Sequence, residues 1–539
     1  MEQIFYNGTI LTMSAKDEEE ELRKRPEAIL VKDGVIAKVG SLEQIEQFAY
    51  GKAEKKDLKG KCLMPAFVDA HSHFVMNGQM STWANLSKCE SFADIINVLT
   101  QHIEKNNLTK NDAVLGYGYD HNFLKEKTHP GKKILDKVSK EIPIFILHIS
   151  AHLACVNSVS LQLANIDENT LNPEGGMIGR IEGSNEPNGY IEEKGMDIFQ
   201  KVVASRIKSD ILTVMHTIQD IYIRNGITTV QDGATTQNDI KILLQLNQSK
   251  CLKVDIVSYP LMTENGIEIM HKYGKEYEHY NGHLKIGGYK LILDGSPQGR
   301  SAWMSEPYLG GGTNYCGYPY MSDEKLYNYI VQAVQEKKQV LAHCNGDAAS
   351  EQFIRIYEMV LNTGMSEEYL RPVMLHCQTV RNDQLDKMVN LKMIASIFVG
   401  HIWYWGDVHI KNFGTIRGNH ISPVRDALDK GVVVNFHQDT PVTEPNMLHS
   451  VWCAVNRISK GAGIIGKEQT VSVYQALKAI TVNAAYEYFE ELSKGSIEEG
   501  KRADLVILDK SPLQVDKMKL RDIKVVETIK DGETIYCAE

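Results

Sequence analysis

The sequence lacks the long apolar runs and the one-sided charge that mark membrane proteins and nucleic-acid-binding proteins. No window reaches the ~18 consecutive apolar residues that a membrane-spanning helix needs. Lysine and arginine number 59 against 69 acidic residues, which gives a net charge of -10 with both signs mixed along the chain. We therefore expect neither nucleic acid nor a membrane as a partner. The first thirteen residues contain no basic segment followed by an apolar stretch, which predicts a cytoplasmic location.

Cysteine is also used sparingly. None of the nine cysteines forms a Cys-x-x-Cys pair, the spacing typical of structural zinc sites and of thioredoxin-like redox motifs. Their odd number favours reduced thiols, as in a cytosolic protein. The chain has 539 residues, 43% of them hydrophobic, so it exceeds what one core usually organises. We expect one large domain and a smaller one.

Short strands separated by turns occupy both ends of the chain. Asn7-Gly8 and Asp33-Gly34 are turn signals near the amino terminus, and Asp531-Gly532 is one near the carboxyl terminus. Because both ends are rich in strands and flank a long middle region, we predict that they pair with each other. The predicted product is a composite β-sandwich domain formed by residues 1–60 and 486–539.

The middle region, residues 61–485, alternates apolar runs of strand length with segments of helical period. This pattern predicts an α/β fold built on parallel strands, either a barrel or a doubly wound sheet. The candidate strands are Leu63–Asp69, Ile227–Gln231, Val254–Tyr259, Ile286–Leu293, Val340–His343, Val373–His376, Met393–Val399 and Val432–His437. Eight strands favour a closed (β/α)8 TIM barrel. Residues from about 75 to 203 are too many for one connection, so we interpret them as a large insertion over the barrel mouth.

Two histidines follow the first of these strands, at His71 and His73. Side chains of an extended segment repeat every second residue, so both imidazoles point the same way and can bind one ion. Alone, the pattern is a weak signal, and two unrelated loop histidines are the more common explanation.

Four further strands end in residues that can bind metal: Lys290, His343, His376 and Asp439. Any one of them is more often a buried polar group with an ordinary hydrogen-bond partner. As a set at the carboxyl ends of parallel strands, they predict a divalent-metal site of imidazole nitrogens and carboxylate oxygens.

These motifs resemble those of the amidohydrolase superfamily, and within it the branch of large YtcJ-like proteins that includes N-substituted formamide deformylases. The resemblance covers nearly the whole chain. It lies in residues 65–73, in Lys290 with residues 294–296 and 300–302, in residues 343–349, 376–378 and 439–442, and in the closing segment 495–505.

The resemblance implies a specific set of metal ligands. His71 and His73 would bind the more buried ion with Asp439, and His343 and His376 would bind a second one. Lys290 would bridge the two as a carboxylated lysine, because an unmodified ammonium group has three donors and no acceptor. The alternative is a plain lysine paired with Asp294 or with a substrate acid. One or two zinc ions are expected, with manganese or iron as alternatives.

The same resemblance implies hydrolysis of a non-peptide C–N bond in a small molecule by metal-activated hydroxide. Asp439 would take the proton of the water and pass it to the leaving amine, and His401 would stabilise the oxyanion. Predicted substrate contacts are Asp120, His152, Arg300 and Trp403. An ordinary structural role is the alternative for each, such as an ion pair between Arg300 and Asp294.

At some motif positions this chain has a residue that differs from the one usual in the family. His437-Gln438 precedes Asp439 where Gly-Ser is usual, and Thr440 stands where tryptophan is usual. The resemblance therefore does not imply that formamides are the substrates of this chain. Two other functions stay open: a mononuclear deaminase, although no glutamate follows His343 closely, and a non-catalytic barrel that has lost its metals. Whether the chain forms a homodimer is also open.

Overall fold

The structure is a computed structural model that describes residues 2–51, 53–204, 206, 211–310, 312, 314–365, 370–461 and 463–538. It divides into two compact units. The first contains Met1–Val75, Met215–Leu293 and Asp323–Glu539, and the second contains Met76–Val214 and Asp294–Ser322. Both units mix helices with strands.

The strands are numbered in chain order. They are β1 (Glu2–Tyr6), β2 (Thr9–Ile10), β3 (Ala28–Lys32), β4 (Val35–Gly40), β5 (Glu54–Asp57), β6 (Cys62–Pro65), β7 (Phe67–Val68), β8 (Ala84–Asn85), β9 (Val114–Tyr119), β10 (Ile144–His148), β11 (Leu153–Val156), β12 (Gly176–Arg180), β13 (Pro187–Glu193), β14 (Ile227–Thr235), β15 (Asp255–Pro260), β16 (Leu284–Ile286), β17 (Gly288–Ile292), β18 (Gln339–Cys344), β19 (Val373–His376), β20 (Ile394–Ile397), β21 (Val433–Phe436), β22 (Ile458–Ser459), β23 (Gly463–Ile464), β24 (Leu505–Leu508), β25 (Val525–Lys530) and β26 (Glu533–Cys537).

The helices are numbered in the same way. They are α1 (Glu18–Arg23), α2 (Leu42–Phe48), α3 (Phe74–Ser81), α4 (Phe92–Lys105), α5 (Lys132–Leu135), α6 (Ser158–Leu163), α7 (Gly195–Ala204), α8 (Ile211–Arg224), α9 (Gln237–Gln248), α10 (Gly266–Tyr273), α11 (Asp323–Gln335), α12 (Asp347–Leu361), α13 (Asn382–Asn390), α14 (His401–Asn419), α15 (Val424–Lys430), α16 (Met447–Asn456), α17 (Val473–Ala479) and α18 (Val482–Glu487), with 3-10 helices at Lys467–Gln469 and Lys517–Asp522. Among the described residues, none of these helices has both the length and the apolar character needed to cross a bilayer.

Two sheets contain the strands nearest the chain ends. One has the order β4-β3-β1-β5, and the other has the order β2-β6-β24-β25-β26. The antiparallel pairing of β6 with β24 joins residues from opposite ends of the sequence. Phe5, Ile29, Leu505 and Ile529 share one hydrophobic cluster in this region. The composite β-sandwich domain of residues 1–60 and 486–539 stays a prediction, since β6 lies just outside the first of these segments.

Two parallel sheets carry the middle strands of the first unit. Their orders are β7-β14-β15-β16 and β17-β18-β19-β20-β21. All residues of β18, β19 and β20 are buried, as expected for parallel strands covered on both faces. Each of the eight predicted regions contains a strand, so the predicted α/β alternation is confirmed. A closed barrel stays a prediction.

The strand predicted over Leu63–Asp69 is wrong as a single element. It divides at Ala66 into β6 and β7, which belong to different sheets. The backbone N–H of Ala66 donates to Asp504, but that of Phe67 donates to Gly226, so the hydrogen-bond partner changes within one residue. Pro65 has no N–H to contribute to either ladder.

The second unit is built on a six-stranded sheet with the order β12-β13-β11-β10-β9-β8. Strands β8, β9 and β10 run parallel, and the remaining pairs are antiparallel. Two hydrophobic clusters cover this sheet, one containing Phe145 and Ile191 and the other containing Leu99 and Ile146. Residues 294–322 belong to this unit as well, although they follow a strand of the first.

Asp255 lies at the centre of a buried ion network in the first unit. Its Oδ2 lies 2.8 Å from Lys494 Nζ, 2.9 Å from Arg502 and 3.0 Å from Lys530 Nζ. We expect Asp255→Asn to lower the free energy of unfolding by roughly 3–5 kcal/mol, because three cations would lose their buried carboxylate. Urea denaturation measures this change, and Asp220→Asn, at an exposed aspartate, should have almost no effect.

The effect of Asp255→Asn should depend on pH in one direction. Burial acts to raise the pKa of Asp255, but Lys494, Lys530, His283 and Arg502 outweigh it and hold the pKa well below its usual value. The carboxylate therefore stabilises the fold above the unfolded pKa of about 3.9, and this contribution is lost only as the pH falls through the lower folded value. A difference from the parent that shrinks between pH 8 and pH 5 would contradict this account.

Candidate functional site

The predicted metal ligands of the first unit converge on Asp439, which follows β21. Its Oδ1 lies 3.4 Å from Nε2 of His71 and 3.3 Å from Nε2 of His73. Ligand atoms of His71, His376 and Asp439 all lie within 4.8 Å of one another. The His343 and His376 rings are 4.3 Å apart, and Lys290 Nζ lies 3.3 Å from His71 Nε2. All six side chains are thus brought together.

This arrangement fits a divalent metal ion. Among the described residues, Nε2 of His376 is buried and has no hydrogen-bond partner, which is costly unless the atom binds something else. Imidazole nitrogens and one carboxylate are the donor set of catalytic zinc and related ions. An ammonium group at Lys290 cannot join that set without modification.

Burial sets the protonation of the site. It lowers the pKa of His71 well below its usual value, helped by the charge of Lys290, and it does the same for His376, helped by His343. These imidazoles are therefore neutral near pH 7. Burial also lowers the pKa of Lys290 to about 7. For Asp439, burial acts to raise the pKa, but the hydrogen bond from His73 and the nearby histidines hold it well below its usual value.

Two ligand positions have an unfavourable backbone conformation. His376 has φ 73° and Asp439 has φ 53°, both in the left-handed region that residues other than glycine rarely adopt. Such positions persist where surrounding contacts hold them in place. The directions of these two side chains therefore do not follow from ordinary strand alternation.

A match to a family model identifies the protein family of this chain. The family model described as "Amidohydrolase family" matches residues 56–536, which is most of the chain. The chain belongs to this amidohydrolase family.

Named relatives of this amidohydrolase span its full length. The YtcJ amidohydrolase of Bacillus subtilis (strain 168) is 25% identical and covers 99% of both chains. An N-substituted formamide deformylase of Arthrobacter pascens is 25% identical over 95% of each chain. A crystal structure of an uncharacterized metal-dependent hydrolase from Pyrococcus horikoshii OT3 has TM-score 0.75 at 24% identity, covering 96% of this chain and 99% of its own, and shows the shared fold.

Gln231, on β14 of this amidohydrolase, holds His71 and was not predicted as a site residue. Its Oε1 lies 2.5 Å from Nδ1 of His71, and its Nε2 donates to the carbonyl of Ala70 at 2.7 Å. The amide is thereby oriented so that Oε1 accepts the Nδ1 proton, which leaves a lone pair on Nε2 for a metal. The residue types of β14 did not single it out, because the strand also contains Thr228, Thr229 and Asp232. Gly233 leaves room for the ring, because a Cβ there would lie 2.5 Å from Cε1 of His71.

Glu487, at the end of α18, is a second buried residue that the sequence did not identify. Its carboxyl accepts from Gln231 at 3.2 Å and from Asn435 at 2.7 Å. Burial raises its pKa to about 8, despite those hydrogen bonds and the charge of Lys290. The base of the site therefore contains a carboxyl that is largely protonated at neutral pH.

His401, the predicted oxyanion-stabilising residue, begins α14 and is buried. Its Nδ1 lies 3.1 Å from Nε2 of His409. Burial and His409 lower the pKa of His401 well below its usual value, while the charge of Asp439 acts in the opposite direction. Trp403, a predicted substrate contact, is half-buried and packs edge-on against Trp452 at 5.3 Å, with Arg521 5.0 Å from its ring centre.

The other predicted substrate contacts, Asp120, His152 and Arg300, lie in the second unit. His152 Nδ1 lies 2.8 Å from the buried carboxylate of Glu193.

Asp120 Oδ1 lies 3.5 Å from His148 Nε2 in a group with His121. The backbone N–H of Ser150 donates to Nδ1 of His148 at 3.1 Å, which places the proton of a neutral His148 on Nε2. The Nε2–H of His148 can then donate to Nδ1 of His121, which lies 3.2 Å away.

Proposed function

We propose that this chain is a metal-dependent hydrolase that cleaves a non-peptide C–N bond of a small molecule. The observation that carries the proposal is the convergence of His71, His73 and His376 on the carboxylate of Asp439, in a chain of the amidohydrolase family. The name of the N-substituted formamide deformylase supports the same class of bond.

The metal would be held by His71, His73, His343, His376 and Asp439, with a carboxylated Lys290 as the bridging ligand. Zinc suits these ligands, and manganese or iron are the alternatives. When bound, the ion would activate water and polarise the carbonyl group of the substrate. Burial of Lys290 supports carboxylation, because its lowered pKa leaves uncharged amine at neutral pH. That amine adds to carbon dioxide, forming an N–C bond and releasing one proton.

Residues of the chain would move the protons. Asp439, as a carboxylate, would take the proton of the attacking water and give it to the leaving amine. His401 would donate a hydrogen bond to the oxygen that becomes negative during the attack. Asp120, His152, Arg300 and Trp403 remain the predicted substrate contacts.

The proposal includes a closed barrel and a β-sandwich domain. Nine parallel strands in two sheets of the first unit support a (β/α)8 barrel, in which catalytic groups gather at the carboxyl ends of the strands. The sheets that hold the chain ends support the β-sandwich domain. We expect the protein to act in the cytoplasm.

A substrate panel tests the reaction class. Protein prepared with zinc and bicarbonate is supplied with N-substituted formamides, cyclic amides, carbamates and aminopyrimidines, and the release of amine, carboxylate and ammonia is measured. We expect amine release from at least one amide-type compound, with complete loss in His71→Asn and parent rates in the surface variant His271→Asn. Ammonia release from the aminopyrimidines alone would favour the deaminase, and turnover that persists in His71→Asn would contradict the proposal.

A further inference from the structure

His437 is a fully buried histidine two residues before Asp439, and no step of the proposed reaction uses it. It directly follows β21, and its ring lies 5.1 Å from the ring of His376 and 5.2 Å from that of His71. A polar ring buried in this position needs hydrogen-bond partners.

Both ring nitrogens of His437 have such partners. Nε2 lies 3.3 Å from Nδ1 of His376, and Nδ1 lies 2.9 Å from Oγ of Ser396, on β20. Ser396 is fully buried, so bulk water does not compete with its hydroxyl for the hydrogen bond to His437. The three side chains therefore form a hydrogen-bonded row across three neighbouring parallel strands.

Only one arrangement of protons lets His376 bind metal through Nε2. That nitrogen must carry a lone pair, so the single proton of the neutral ring is on Nδ1. Nδ1 then donates to Nε2 of His437, whose own proton is on Nδ1 and is donated to Ser396 Oγ. Each contact in the row has one donor and one acceptor, and Nε2 of His376 is the atom that lacks a partner among the described residues.

The backbone at His376 leaves the direction of its ring to be set by surrounding contacts. His376 has φ 73°, so its ring does not take the direction that strand alternation would give it. Gln231 performs the equivalent task for His71, with its Oε1 2.5 Å from Nδ1. His71 and His376 thus each have a buried acceptor at Nδ1, supplied by residues of different sheets.

We propose that His437, supported by Ser396, is a positioning residue that fixes the proton and ring direction of His376 so that Nε2 faces the metal. This inference rests on the proposed function, since it requires that His376 binds a metal ion. It predicts that metal affinity depends on the acceptor at position 437 and not merely on a side chain that fills the space.

Three variants separate positioning from packing. His437→Leu fills the space without an acceptor, and His437→Gln supplies a carbonyl oxygen near the position of Nε2. Ser396→Ala removes only the second hydrogen bond. Zinc affinity is measured by competition with a chromophoric chelator, the visible spectrum of bound cobalt reports ligand geometry, and circular dichroism checks the fold.

We expect His437→Leu to bind zinc about 10- to 100-fold more weakly than the parent, which is the usual effect of removing a partner of a metal ligand. His437→Gln should recover most of the affinity, Ser396→Ala should give a smaller loss, and the surface variant His271→Gln should match the parent. A changed cobalt spectrum should accompany the loss in His437→Leu.

Unchanged zinc affinity in folded His437→Leu would overturn the positioning role, and so would equal losses in the leucine and glutamine variants. If His437→Leu does not fold, Ser396→Ala and His437→Gln still decide the matter, because a loss in the first with retention in the second requires the hydrogen-bonded row. A parent protein that binds no zinc, or His376→Ala with parent affinity, would overturn the proposed function and this inference with it.

Discussion

Replacing Asp439 with asparagine is expected to lower turnover by about 10²- to 10⁴-fold, the usual contribution of a general acid–base group. The asparagine oxygen can still bind a metal ion beside His71 and His73, whose Nε2 atoms lie 3.4 Å and 3.3 Å from Oδ1 of Asp439. It cannot take a proton from water. The variant should therefore keep most of its metal while losing its activity.

Amine release and metal content, measured on the same preparation, test this expectation. Asp426→Asn is the matched control, because Asp426 pairs with His420 away from the site and undergoes the same chemical change. Asp439→Asn with normal turnover would contradict the role of Asp439 as the proton carrier. Loss of all metal together with activity would assign it a role in binding only.

Replacing Lys290 with alanine is expected to reduce the metal content from about two ions per chain to one or fewer. A carboxylated lysine supplies two oxygens to the ions, whereas alanine supplies none. Lys290 is buried and its Nζ lies 3.3 Å from Nε2 of His71, so the loss falls directly beside a proposed ligand. Elemental analysis of protein purified with bicarbonate gives the two numbers directly.

Acetate offers a sharper test of the same residue. If the lysine acts through its carboxylate, then acetate added to Lys290→Ala should restore part of the metal content, and Lys338→Ala, at a lysine that pairs with Glu278, should resemble the parent throughout. One ion per chain in both the parent and Lys290→Ala would instead favour a mononuclear centre.

The residues at the ends of the strands were the part of the site that could best be predicted from the sequence. Parallel strands covered on both faces are continuous apolar runs, so a polar residue at the end of each, such as His376 after Val373–Leu375, stands out. Because such ends lie at one edge of a sheet, six separate residues could be predicted as one group. The division of the first predicted strand at Ala66 left no comparable signal, because Pro65 and its neighbours are apolar on both sides.

The hydrogen-bond partners of the proposed ligands were harder to predict from the sequence. Gln231, His437 and Glu487 act through hydrogen bonds to partners that are distant in sequence, such as the 256 residues between Gln231 and Glu487. No local periodicity of the sequence indicates such a pair of residues. The left-handed backbone at His376 and Asp439 could not be predicted either, because neither residue type indicates it. The membership of residues 294–322 in the second unit depends in the same way on contacts between distant segments.

The most direct test of the central claim is X-ray diffraction on either side of the zinc absorption edge, from crystals grown with zinc and bicarbonate. We expect an anomalous peak among Nε2 of His71, Nε2 of His73 and Oδ1 of Asp439, and electron density for a carboxylate on Nζ of Lys290. Crystals that show no peak at these side chains, with Lys290 as an unmodified amine, would contradict it.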